Sequence, residues 1–351
     1  MWQHFITSIT AITLSDLVAI AFTLPLFSLV VASLIVAGTL LVARLRSERG
    51  RTAPHNVAAE PAVAARYLPE HRTLGVGAIA VIVVFAVENV VRGYVLNLSD
   101  IVEWWQYATP LFAAALCLTV VLGLILFRGT TPPEQPVVSA ARRTWTSFGS
   151  EAGLLGAAAA FVALLVTTIA AGLASSADGR GRFIHLELRV PNEVIDPIRP
   201  WFYGWDFGVP VIVCLAALAV ATWATLRSNA VRPFIRPDTV GAEQAARAEV
   251  ASAVVRIATA GVLLALAGAW RFIARAGSLS QLVIVDDGRR DSYDMTWRYA
   301  EFAVAVGWLA PAVEITAFAL LLLVASRPRR VRVLASSTVR TERTTHPETA
   351  R

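Results

Sequence analysis

The 351-residue chain (37.7 kDa) is 56% hydrophobic and only 16% charged, against about 45–50% apolar and about 25% charged in a soluble domain. That composition excludes an ordinary water-soluble globule and reads as an integral membrane protein. All 31 basic residues are Arg, so there is no Schiff-base lysine, which excludes a retinal photoreceptor, and no Gly-Lys-Ser/Thr phosphate loop. Exclusive use of Arg beside abundant Ala and Val matches the coding bias of a high-GC bacterium, and a bacterial inner membrane is the expected location.

A helix needs about 20 apolar residues to cross roughly 30 Å of hydrocarbon. Seven such runs occur, over 17–43, 74–96, 106–127, 153–174, 207–226, 250–272 and 300–325. The expected fold is therefore an all-α integral membrane protein of seven transmembrane helices over 17–326. An outer interfacial segment, 1–16, precedes them and a basic cytoplasmic tail, 327–351, follows.

In chain order, Trp2, Phe5, Ile6, Ile9 and Ile12 recur at helical spacing, as in a short helix lying in a headgroup layer or a frayed, Trp-anchored terminus. This segment has no Arg and no Ala-x-Ala site, so the first run is expected to be retained rather than cleaved. The first run carries Pro25 and the second carries Glu88, Asn89 and Arg92. The third carries Pro110 and Cys117. The fourth opens on small residues, Gly153 to Ala160, a close-packing face for another helix of this chain or of a partner. Phe183 to Val190 then alternates apolar and polar, as a strand does. The fifth run holds Pro210 and Cys214, and the sixth holds Arg256. After it, Gln281 to Val285 is β-branched and ends in Asp286-Asp287-Gly288, a tight-turn signal. This stretch and 183–190 are expected to pair into a small extracytoplasmic sheet. The seventh run holds Pro311 and Glu314.

Connections alternate sharply in charge: twenty Arg fall on one side of the seven runs and eight on the other. Short Arg-rich loops stay cytoplasmic, which gives an N-terminus outside and a C-terminus inside. Contact with anionic headgroups accounts for such a basic rim better than nucleic acid does.

Trp-x-Tyr-Ala/Gly occurs three times, at Trp105-Gln106-Tyr107-Ala108, Trp201-Phe202-Tyr203-Gly204 and Trp297-Arg298-Tyr299-Ala300. Each copy precedes or opens an inward-running helix that carries one of Pro110, Pro210 and Pro311, and Pro25 stands in the same place on the first. The connections on the basic side share Ala64-Ala65-Arg66, Ala140-Ala141-Arg142 and Ala245-Ala246-Arg247. One helix followed by three tandem two-helix hairpins is the simplest reading. Convergence on an aromatic belt is the alternative.

Ionisable residues inside a span cost at least about 2.5–3.5 kcal/mol and demand a reason. Glu88 and Arg92, four residues apart, form either a self-neutralising pair or, with Asn89, part of a polar ligand or ion site. Glu314 has no base one turn away on its own helix, and Arg256 is the expected partner across the bundle. Pro25, Pro110, Pro210 and Pro311 are expected to break or kink their helices beside these charges. Glu314 with Pro311 has the form of a proton or ion site in a carrier, or of a plain interhelical salt bridge.

The acidic stretch Asp286 to Asp294 contains Arg289 and Arg290 and reads as a solvated turn. No His lies within the seven apolar runs, so no metal or cofactor is expected at depth. The whole points to a non-enzymatic membrane protein, either a carrier or the membrane subunit of a transport assembly for a small solute or lipid. The alternative is a sensor or scaffold using its outer loops and its basic tail. Expected partners are the lipid bilayer and a protein at the cytoplasmic loops, the tail or the 153–160 face; nucleic acid is not expected.

Overall fold

The computed structural model describes residues 26–49, 61–95, 103–128, 143–190, 196–286, 289–295 and 297–344, with the backbone alone for 47–49, 61–62, 92–95, 285–286, 289 and 327–344. The interfacial segment expected at 1–16, Pro25 and the start of the first run lie outside the described residues. The helices are α1 (Phe27–Arg49), α2 (Pro61–Ala86), α3 (Thr109–Arg128), α4 (Glu151–Ala174), α5 (Trp205–Val231), α6 (Val240–Gly277) and α7 (Ala300–Thr344). Each contains a stretch long and apolar enough to cross a membrane, and a helix is the local structure that satisfies its own backbone there.

Helix starts follow local chemistry. Leu26 has φ of 63°, a conformation that no helix interior accepts, and α1 begins directly behind it. Ser150 caps α4, its Oγ accepting the Gly153 N–H at 3.2 Å. Pro61 opens α2, where its missing N–H costs nothing. That start is thirteen residues earlier than the apolar run suggests. Residues 61–73 mix Ala, Leu, Arg and Glu, which are strong helix formers that a hydropathy window passes over. As a result Glu70 and His71 are helical, and His71 lies inside a helix where none was expected. Beyond Ala86 the helix widens into a π-helical segment, Val87–Val95.

The prolines do not break the described helices. Pro110 is the second residue of α3, where the amide has no intrahelical partner to lose. Pro210 and Pro311 sit inside helices that run on without interruption. In α7 the residue whose carbonyl faces the Pro311 ring is Gly307, which has no side chain to crowd the site.

α6 is the axis of the bundle. Its 38 residues extend about 57 Å, and it packs against α2, α3, α4, α5 and α7. Small residues permit the approach. A β-carbon at Gly277 would lie 2.7 Å from the Ala303 Cβ, and one at Gly307 would lie 2.8 Å from the Ala274 Cβ. These two contacts fix α6 and α7 as antiparallel neighbours. α1 is peripheral and packs chiefly on α7. Of the small-residue stretch in α4, Ala157 and Ala160 join the core, whereas Gly156 faces open space.

The strands pair locally instead of with each other. β1 (Ser176–Ala177) and β2 (Phe183–His185) form one antiparallel hairpin. β3 (Gln281–Asp286) and β4 (Arg289–Asp294) form a second, in register from Gln281↔Asp294 to Asp286↔Arg289. The expected joint sheet of 183–190 with 281–285 is therefore absent among the described residues; closing a short local loop costs less entropy than closing one of about a hundred residues.

The Trp-x-Tyr motifs gather at one end of the bundle without being equivalent. In the first two the Tyr turns inward: Tyr107 and Tyr203 meet edge to face at 5.3 Å, and Tyr107 stacks on Phe272 at 5.5 Å. In the third the Trp turns inward, with Trp297 covering Gly277 and touching Phe202 at 5.6 Å, while Tyr299 is exposed. α6 is buried along most of its apolar length while α2 and α4 are largely uncovered. The three copies thus differ in which side chain they bury and in how far their helices are covered.

Candidate functional site

Glu314 is buried on α7. Its carboxylate is ion-paired with Arg271 of α6 and takes a hydrogen bond from the Ser28 hydroxyl on the first turn of α1. The partner is Arg271 and not Arg256, and helix register is the reason. Gly277 opposite Ala303 and Ala274 opposite Gly307 put Glu314 level with about residue 266 or 267 of α6. Arg256 is then about 15 Å further along the axis, whereas Arg271 is about 7 Å away, within reach of a guanidinium. Arg256 is half-buried and makes no ion pair among the described residues. Arg271 is the less buried partner, its side chain 44% exposed against 6% for Glu314.

α1 begins at Phe27, behind the left-handed Leu26, and Ser28 meets α7 fourteen residues inside that helix. The N-terminal end of α1, the positive end of its dipole, is thus level with a carboxylate in the middle of a neighbouring apolar helix.

Glu88 stands at the start of the π-helical segment. The Thr109 hydroxyl of α3 donates to its Oε1 at 3.5 Å, and Asn89 Nδ2 donates back to the Phe85 carbonyl at 2.9 Å. The Arg92 side chain, the expected partner of Glu88, lies outside the described residues.

A larger charge cluster fills the Arg-rich end, among residues that the sequence assigns to connections. Arg247 is wholly buried: Nε donates to the Tyr67 hydroxyl at 3.1 Å, Nη1 to the Arg232 carbonyl at 2.8 Å, and Nη2 to the Pro233 carbonyl at 3.0 Å and Glu243 Oε2 at 3.2 Å. Its plane covers the Phe234 ring at 4.2 Å. Glu243 also accepts from Arg66 at 3.3 Å, from the Ile235 N–H at 3.1 Å and from the Thr239 hydroxyl at 3.2 Å. Beside this network Glu70 and Arg232, both buried, lie 3.0 Å apart. Their charges touch without aligned hydrogen bonds: both Glu70 oxygens and Arg232 Nε and Nη1 have no hydrogen-bond partner. His71 faces Glu249 at 3.7 Å.

Arg143, ahead of α4, completes the cluster by donating to the Arg232 carbonyl at 3.2 Å and lying over Phe234 at 4.1 Å. Burial and then the nearby Arg247 pull its guanidinium below the usual arginine value, and Glu243 acts in the opposite sense. The sequence carried one signal for this cluster. Two of the three Ala-Ala-Arg markers supply Arg66 and Arg247, and both reach the same carboxylate.

Comparison with protein families, with curated proteins and with solved structures finds no match for this chain.

Proposed function

We propose that the chain is a multi-pass inner-membrane protein of a bacterium that acts as a carrier, or as the membrane subunit of a transport assembly, for a small solute or lipid. Its Arg-rich end faces the cytoplasm, following the positive-inside rule, and its N-terminus lies outside. The observation that carries the proposal is the junction of Glu314, Arg271 and Ser28. A helix that opens halfway along its neighbour, with its positive dipole end beside a charged group, is like the discontinuous helices by which transporters hold ions and polar solutes near the bilayer midplane. A carboxylate inside an apolar helix is costly, which makes it a candidate functional group. Pro311 lies one turn away.

The test begins with native mass spectrometry of the chain in mild detergent, followed by uptake of each co-purified small molecule into proteoliposomes. The proposal expects a retained solute or lipid whose flux falls at least tenfold in Glu314→Gln and is unchanged in Arg256→Gln. Equal flux through wild type and Glu314→Gln for every retained compound overturns it.

A sensor or scaffold role is the second reading. The observation in its favour is that α7 continues as helix to Thr344, well beyond its apolar stretch ending at Ser326, which provides a basic rod for a cytoplasmic partner. Loss of phenotype on deletion of 327–351 with unchanged flux supports this second reading over the first.

A further inference from the structure

At the Arg-rich end a cavity of about 790 Å³ opens between the segment leading into α4 and one face of α6. We propose that it binds a phosphate-bearing anion, the headgroup of a cytoplasmic-leaflet phospholipid being the source that its position favours. This site is separate from Glu314 and does not depend on the transport reading.

Three features carry the proposal. The first is lining chemistry: Arg143, Ser147, Ser150, Ser252 and Gln244, each with a side chain able to donate, are among the residues that line the cavity. These are donors, as a phosphate needs. Glu151, the acid on the first turn of α4, is exposed and does not line it. The second is charge balance. Arg143 lines the cavity and Arg247 lies behind its Phe148 and Phe234 walls; with Arg66 and Arg232 they form a network whose carboxylates, among the described residues, are Glu70 and Glu243, both committed to ion pairs, while the exposed Glu249 faces His71. An excess of positive charge remains, and Arg143, held partly dehydrated with a like charge nearby, is the group that an anion in the cavity would compensate.

The third feature is depth. Ser150 precedes the apolar run of α4 and Ser252 stands near the start of the apolar run of α6, so the cavity lies where headgroups lie. Just beyond it Leu155 is exposed on α4, which offers apolar surface to an acyl chain.

The test uses the full chain in detergent with three probes: phosphatidylglycerol, phosphatidylcholine and glycerol 3-phosphate. Native mass spectrometry counts retained molecules, and thermal unfolding reads stabilisation. Arg143→Gln removes the cation, Ala248→Leu fills the cavity without touching it, and Arg72→Gln alters an exposed arginine at the same end. Phosphatidylglycerol should be retained by wild type and by Arg72→Gln, and bound roughly fivefold or more weakly by the other two variants. Preference for phosphatidylglycerol over glycerol 3-phosphate assigns the site to lipid, and equal binding assigns it to a soluble phosphate ester; either supports the phosphate site. Undiminished retention in both Arg143→Gln and Ala248→Leu, or no binding of any probe by wild type, overturns it. Glu314→Gln should leave all of these readouts unchanged.

Discussion

Arg66 of α2 and Arg247 of α6 donate to one and the same oxygen, Glu243 Oε2, at 3.3 and 3.2 Å. A single carboxylate, buried to 1% exposure, thereby ties two helices together and holds the turn before α6 through Ile235 and Thr239. Removing one partner of a buried pair costs more than the pair contributes, because the survivor is left charged and dry.

Glu243→Gln should therefore lower stability by about 3–5 kcal/mol. Arg66→Gln should cost less, since Arg247 and Thr239 still satisfy the carboxylate. Thermal unfolding of both variants in one detergent checks the order; equal losses would contradict the shared-oxygen geometry.

Arg271→Met leaves Glu314 without its cation and should destabilise by about 1–2 kcal/mol, less than a wholly buried pair because Arg271 is half-exposed. Glu314→Gln in the same chain should recover most of that loss. Arg256→Met should change little. A double-mutant cycle measures the coupling, and coupling of Glu314 to Arg256 instead would overturn the helix register.

Much of this could be read in the sequence. The seven apolar runs stand out because hydrocarbon demands them, and Glu314 stands out as an acid inside one. Its partner was not legible, since Arg271 lies at the end of a run and the choice between Arg256 and Arg271 depends on an α6–α7 register set by Gly277 and Gly307. Glu70, Tyr67 and Arg232 escaped for another reason. A hydropathy scan sees charged residues as connection, whereas here charge is buried where helices outlast their apolar stretches. The Ala-Ala-Arg recurrence was visible, but nothing in its spacing said that two copies meet one acid.

Gly277→Ala should destabilise by about 1–3 kcal/mol, because the added methyl meets Trp297 and Ala303 with no room to move. Gly156→Ala, with open space around it, should be neutral or stabilise by up to about 1 kcal/mol. Unfolding midpoints of the two variants, measured side by side, test whether α6 and α7 pack as closely as described.

Asp178 organises the β1–β2 hairpin. Its carboxyl is held below the usual aspartate range, first by the Arg182 backbone N–H, with the Arg180 N–H and the Arg182 side chain adding to it against some desolvation. A lowered folded value means that its contribution is present at neutral pH and lost as pH falls through that value. Hydrogen-exchange protection of the hairpin amides, corrected for intrinsic rate, should drop on acidification in wild type. In Asp178→Asn it should be low throughout; a wild-type pH dependence in that variant would remove Asp178 from the explanation.

The central proposal is that solute reaches the junction of α1, α6 and α7, and thiol labelling at Ser28 tests it most directly. In a chain with Cys117 and Cys214 replaced by Ser, Ser28→Cys should react with a small charged, membrane-impermeant thiol reagent in at least one of two preparations, right-side-out or inverted vesicles. Absence of labelling from both sides, while a cysteine placed at exposed Ser278 is modified, would show a sealed salt bridge and contradict the carrier.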